Sequence, residues 1–205
     1  MKKIIAAILL IAGFTANAQD KEKIFSSTEL VWFGLDFTKA TFVGQFDQGM
    51  GAMPANGTDM KNKWIPGWNS LIVAEPQNFD FRKNLNKESV YLDIASVNEL
   101  NSKIDPNKCM DINPGKLEAK EIDAMVKKYS SKNKKEGVGF SFIVENFDKG
   151  TQMASVYVTF FDIATKKVLL VNKMEGKAVG IGMRNYWAGA IKAIIKKTGA
   201  EYKNW

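Results

Sequence analysis

Three largely apolar stretches in the last third of the chain read as strands. They are Val138 to Asn146, Gln152 to Asp162 and Lys167 to Lys177. Polar turns centred on Asp148-Lys149-Gly150 and Ala164-Thr165-Lys166 separate them, so the pattern predicts a three-strand meander. In the middle stretch Val156, Val158 and Phe160 share one face, and Tyr157, Thr159 and Phe161 share the other. Large side chains on both faces predict a sheet covered on at least part of both sides.

Upstream, Leu30 to Val43 is rich in aromatic and β-branched residues and reads as one strand or two, interrupted by Asp36 and Lys39. Ser89 to Val97 alternates Val90, Leu92 and Ile94 against Tyr91, Asp93 and Ala95, as a further strand would. Helical spacing appears three times. Trp68, Leu71 and Ile72 predict a helix over Trp64 to Glu75, opened by Pro66-Gly67 and stopped by Pro76. Ala119, Ile122, Met125, Val126 and Tyr129 form one face of a helix over Leu117 to Tyr129, with Glu118 and Glu121 early and Lys127 and Lys128 late, as the helix dipole favours. Trp187, Ala190, Ile191, Ile194 and Ile195 form the stripe of a closing helix over Tyr186 to Lys197, with Asn185 as its cap and Gly199 as its stop. Between these elements, Phe46 to Lys63 carries glycines, Pro54, Asn56 and the methionines Met50, Met53 and Met60, and reads as a long loop. A turn-rich connection from Asp105 to Gly115 holds Cys109, and Ser130 to Gly137 reads as a solvated loop.

This order predicts an α/β domain, an α+β sandwich. Its sheet is expected to be mixed and largely antiparallel, with a C-terminal three-strand meander and helices packed on it. One globular domain is expected over residues 19–205, and residues 1–18 read as a signal peptide. Met1-Lys2-Lys3 is a basic start, Ile4 to Phe14 is an apolar run of 11 residues, and Ala16-Asn17-Ala18 is a small-residue cleavage site. That run is well short of the ~20 residues a spanning helix needs, so no transmembrane segment is expected after cleavage. Cys109, the single cysteine, is too distant from the cleavage site to take a lipid there. The expected location is periplasmic or secreted.

Composition narrows the chemistry. There is no histidine, so no Ser-His-Asp triad, Cys-His dyad or histidine metal site can form. One cysteine rules out an internal disulfide and a thiolate zinc site, and burial of its thiol is the expectation. No calcium-loop motif occurs, and neither metal nor cofactor is expected. Formal charge is +7, and loss of Lys2 and Lys3 would take it to +5. Nearly all of that charge is lysine. Arg82 and Arg184 are the only arginines, and arginine is the residue best suited to bidentate phosphate and base contacts. A lysine-rich surface of this kind reads as solvation, with weak attraction to anionic polymers, and no nucleic-acid partner is expected.

Three groups of residues remain as candidate sites. Gly180-Ile181-Gly182 precedes the closing helix but lacks the third glycine and the following βαβ unit of a dinucleotide fold, so a tight strand-to-helix turn is the simpler reading. With Arg184 and Asn185 beside it, the same turn is a candidate anion site. Met50, Met53 and Met60 are a candidate partner surface, set against the simpler reading of methionines folded onto the body. Asp36, Asp93 and Asp162, each in or at the end of a predicted strand, could act as acid and base if two of them converged. No G-x-S-x-G elbow is present.

The element order and one short motif resemble known proteins. The pair SVYVTFFDIATKKVLLVNKMEGKA leads into the final helix, and the helix LEAKEIDAMVKKY precedes the meander. This arrangement is similar to the periplasmic domain of the curli-secretion channel protein and of the outer-membrane activators of penicillin-binding proteins. In those families a strand ends D-x-x-T-G. Here Asp162-Ile163-Ala164-Thr165-Lys166 stands at that place, with lysine for glycine. The likeness covers mainly Ala119 to Thr198, and those proteins are lipoproteins whereas this chain has no lipid cysteine. The chain also resembles uncharacterised secreted bacterial proteins of similar length. The resemblance implies a domain that binds other envelope proteins and catalyses nothing. The leading expectation is therefore a non-enzymatic secreted or periplasmic binding or scaffold domain for a cell-envelope protein or polymer. The alternatives are a small-molecule or anion binder using the Gly180–Asn185 turn and a histidine-free carboxylate hydrolase.

Overall fold

The longest strand, β5 (Val138–Asp148), organises a computed structural model that describes residues 20–46 and 55–205. Residues 1–18, for which a signal peptide is expected, and Met50 and Met53 lie outside those residues. One flank of β5 pairs along its whole length with β6 (Met153–Asp162), antiparallel, from Val138↔Asp162 to Asp148↔Met153. The other flank is shared by two strands laid end to end. β1 (Glu29–Asp36) runs parallel to Val138–Ile143, and β2 (Thr41–Val43) runs parallel to Asn146–Asp148. Two short outer strands continue the parallel pairing: β3 (Ser89–Leu92) beside β1, and β4 (Met110–Asp111) beside β2. β7 (Val168–Lys177) closes the opposite side against β6.

The expected largely antiparallel sheet is thus corrected. Among the described residues four of the six strand pairings are parallel, and only the C-terminal meander β5–β6–β7 is antiparallel. The reason is visible in β1, where every residue from Leu30 to Asp36 is buried. A strand flanked by parallel neighbours and covered on both faces reads as a continuous apolar run, not as an alternation. Its connections are helical crossovers, which parallel pairing requires.

Those crossovers cover both faces of the sheet. The first contains α2 (Gly57–Asp59), one π turn (Met60–Trp64) and α3 (Ile65–Ala74), followed by α4 (Phe81–Asn84). With α7 (Gly182–Glu201) and a helix at residues 20–26, α1, they bury Trp32, Phe140, Phe142, Phe160, Trp68 and Trp187 on one face. On the other face, α5 (Ala95–Asn101) and α6 (Ala119–Val126) bury Val31, Phe33, Ile143, Phe161 and Tyr129. Among the described residues no helix is long and apolar enough to cross a membrane.

Local chemistry moved several boundaries. The helix expected at Trp64 starts at Gly57, because Asn56 and Asp59 form a capping box: Asp59 N donates to Asn56 Oδ1 (3.0 Å) and Asn56 N to Asp59 Oδ2 (3.2 Å). The strand expected over Ser89 to Val97 ends at Leu92, and its second half belongs to α5. The last helix starts at Gly182 and runs through Gly199 to Glu201. Beyond Leu92, β1 has no neighbouring strand on that side, and two asparagine amides take its place. Leu35 N donates to Asn69 Oδ1 (2.8 Å), Phe37 N donates to Asn101 Oδ1 (2.8 Å), and Leu35 O accepts from both amides. Buried main-chain groups that lack a strand partner are satisfied there by side chains.

One further irregularity matters later. The β5–β6 register shifts between Val144 and Asn146, so Glu145 is the extra residue of a β-bulge. Val144 and Phe147 both face the larger core. The two residues between them, Glu145 and Asn146, therefore turn together to the opposite face.

Candidate functional site

The outer strand β3 forms the floor of a cleft of about 300 Å³. Val90 and Leu92 point into it. Ile72 from α3 and Phe79 and Phe81 around α4 supply an apolar roof, and Pro76 and Gln77 form one rim. α4 is fixed there by its own cap, since Lys83 N donates to Asp80 Oδ1 at 2.9 Å. Phe81 is seated by Trp32, with ring centroids 4.5 Å apart. The cleft is largely apolar with few polar groups, and its size falls at the lower end of the ~300–1,000 Å³ typical of ligand sites.

Arg82 stands exposed at the opposite rim. No carboxylate pairs with it among the described residues. The two nearby acids are occupied: Asp80 caps α4, and Glu75 accepts from Asn78 Nδ2 at 2.9 Å.

The backbone of β3 completes the site. Ser89 N donates to Thr28 O and Asp93 N to Trp32 O, both toward β1. Alternation along the strand then turns the N–H and C=O groups of Val90 and Leu92 to the outer edge. The cleft thus combines an apolar trough, a strip of outward main-chain donors and acceptors, and one uncommitted guanidinium.

The residues singled out by sequence lie elsewhere. Met60 is fully buried in the larger core. Gly182 opens α7 with φ +75°, and Arg184 is exposed with its Nε 3.4 Å from Asn185 Oδ1. The Gly180–Asn185 turn has a packing explanation. Gly180 holds φ +144°, and a Cβ there would lie 2.8 Å from the Asn185 carbonyl. Arg184 O accepts from Trp68 Nε1 at 3.0 Å, which ties the turn to α3. Ile181 beside it is 92 % exposed.

The three aspartates do not converge. Asp36 is sealed at the carboxyl end of β1, where it accepts from Thr38 N (2.8 Å), Thr38 Oγ1 (2.6 Å) and Tyr129 OH (2.7 Å). Burial pushes its carboxyl above the ordinary range despite those bonds, and burial together with the Asp36 charge holds the Tyr129 phenol well above its own. Asp93 accepts from Ser131 Oγ at 2.5 Å. Asp162 lies at the other end of the sheet, opposite Val138, where β5 begins. It accepts from Thr165 N (2.7 Å), Thr165 Oγ1 (2.9 Å) and Lys23. Burial raises that carboxyl, but Lys23 and Thr165 outweigh it and hold it below the usual range. The D-x-x-T sequence is therefore a turn-forming device here, and Lys166 after it takes the left-handed conformation at φ 63°.

Cys109 is buried, with burial raising its thiol pKa. Among the described residues no group of three or more potential ligands could hold a metal. Sequence reasoning missed the cleft. The signal available was Arg82, one of two arginines, beside the short apolar run of β3.

No protein-family model, no curated protein and no solved structure matches this chain.

Proposed function

We propose that this chain is a non-enzymatic binding domain of the periplasm or the secreted fraction, and that it holds an extended segment of a cell-envelope protein over β3. The observation that carries this reading is the coincidence of an apolar cleft, a free strand edge and an unpaired arginine. A segment lying beside β3 would gain main-chain hydrogen bonds from Val90 and Leu92. Its alternate side chains would fill the cleft, which is how strand addition combines affinity with specificity. A carboxylate on the segment would meet Arg82 in charge-assisted, bidentate contact. The basic start, the apolar run and Ala16-Asn17-Ala18 support the compartment.

The test is a photo-crosslinking residue at Gln77 on the rim, used in a native envelope fraction, with Lys120 on α6 as the control position. The expected result is a protein adduct at Gln77 that disappears in Arg82→Glu and is not formed at Lys120. No protein adduct, an adduct to polysaccharide instead, or one indifferent to Arg82→Glu would overturn the reading.

A further inference from the structure

A second recess, of about 370 Å³, lies on the opposite face at the carboxyl end of β5. It exists because of the bulge, which turns the consecutive polar residues Glu145 and Asn146 to that face. α6 covers the face further back on β5, over Ile143. The segment leading into α6 forms one wall, and β7 forms the other.

The floor is preorganised. Glu145 is 2 % exposed and accepts from Leu117 N (3.1 Å), Tyr157 OH (3.2 Å) and the Lys173 ammonium. Burial alone would lower the Lys173 pKa, but Glu145 more than compensates, so the ammonium stays charged at neutral pH. At the rim, Glu175 accepts from Ser155 Oγ at 3.3 Å, and Lys116 is exposed with no carboxylate partner among the described residues. Met153 and Pro114 add a small apolar patch.

Two ammonium groups and three carboxylates (Glu145, Asp148 and Glu175) line this space. An anion or a cation entering it would meet a like charge beside each opposite one. A hydroxyl both donates and accepts, so a ring bearing several hydroxyls can match alternating ammonium, amide and carboxylate groups all round. Its C–H face would rest on Met153 and Pro114. We propose that this recess is a saccharide-binding site that takes a pyranose unit of a neutral glycan. It is separate from the cleft over β3 and does not depend on it.

The experiment is saturation-transfer NMR on the mature domain with tetrasaccharides of glucose, galactose, mannose and N-acetylglucosamine. At least one is expected to receive saturation. Lys116→Met and Glu175→Gln, both exposed positions, should each weaken its binding about ten-fold, the worth of one hydrogen bond to a charged group. Their melting temperatures should match the parent, and Arg82→Glu should bind as the parent does. No transfer to any of the four sugars, or transfer that survives both recess variants, would overturn the proposal.

Discussion

Replacing Gly176 by alanine tests how α7 is held to the sheet. Gly176 lies in β7 beneath the middle of α7, and a Cβ there would stand 2.3 Å from the Ala190 carbonyl oxygen and 2.8 Å from Ile194 Cγ1. Unstrained contacts of this kind sit near 3.5 Å, so the helix must move outward by about 1 Å. The obstacle is helix backbone, which cannot swing aside as a side-chain tip can. Trp187, Ile191, Ile194 and Ile195 are all buried under α7, and each loses contact as it lifts. Overpacking of this kind costs about 1–3 kcal/mol, and the lower chain entropy of alanine returns ~0.5–1. A net loss of about 1 kcal/mol corresponds to a fall of roughly 2–4 °C in Tm for a domain of this size. A urea titration followed by the fluorescence of the five tryptophans, among them Trp187 stacked on Phe147 with centroids 4.6 Å apart, reads the loss of stability. Gly67→Ala is the control. A Cβ at Gly67 meets nothing within 4 Å inside α3, and the change should stabilise by about 0.5–1 kcal/mol. If the two alanines shifted the midpoint in the same direction, Gly176 would not be the spacer that sets the position of α7.

Other predictions concern turns and buried polar groups. Lys166 occupies a left-handed position at φ 63°, so Lys166→Gly should raise stability by about 1 kcal/mol in the same titration, and a loss would refute the strain. Asn101→Ala strips Phe37 N–H of its acceptor inside the fold and should cost about 1–3 kcal/mol, whereas a neutral result would mean that another group replaces the amide. Asp36 has a raised folded pKa, so its contribution is complete below about pH 4 and is lost as pH rises through the folded value. Thermal melts of Asp36→Asn should therefore show a flatter pH profile than the parent above that point; parallel curves would count against a raised Asp36.

The meander, both faces of β6 and the stripes of the three main helices were legible because each repeats one period over many residues. What escaped notice had no period of its own. β4 is too short to alternate, and β3, whose alternation is plain, carries no sign of the direction its neighbour runs, so the parallel half of the sheet went unread. β1 carried the right signal in its unbroken run from Leu30 to Leu35, which the antiparallel expectation overrode. The candidate sites fared similarly. Glu145 looks like a stray charge in a strand until the bulge turns it and Asn146 to one face, and a bulge is a property of a pair of strands. Arg82 was counted as one of two arginines, but the apolar cleft beside it is assembled from α3, α4 and β3, which the chain brings together only on folding.

The shared flank of β5 also governs the order in which this chain can assemble. β5, β6 and β7 meet through short turns and can pair as soon as they are made. β1 cannot do so, because its partner at Leu30 is Val138, and nearly all of the intervening chain must emerge first. Until then its apolar run is an unprotected strand of the kind that recruits other chains, and loop closure must be paid before the pairing rewards it. The N-terminal half therefore depends on a C-terminal template, and slowing or truncating synthesis before the meander should yield aggregate, not a stable half-domain.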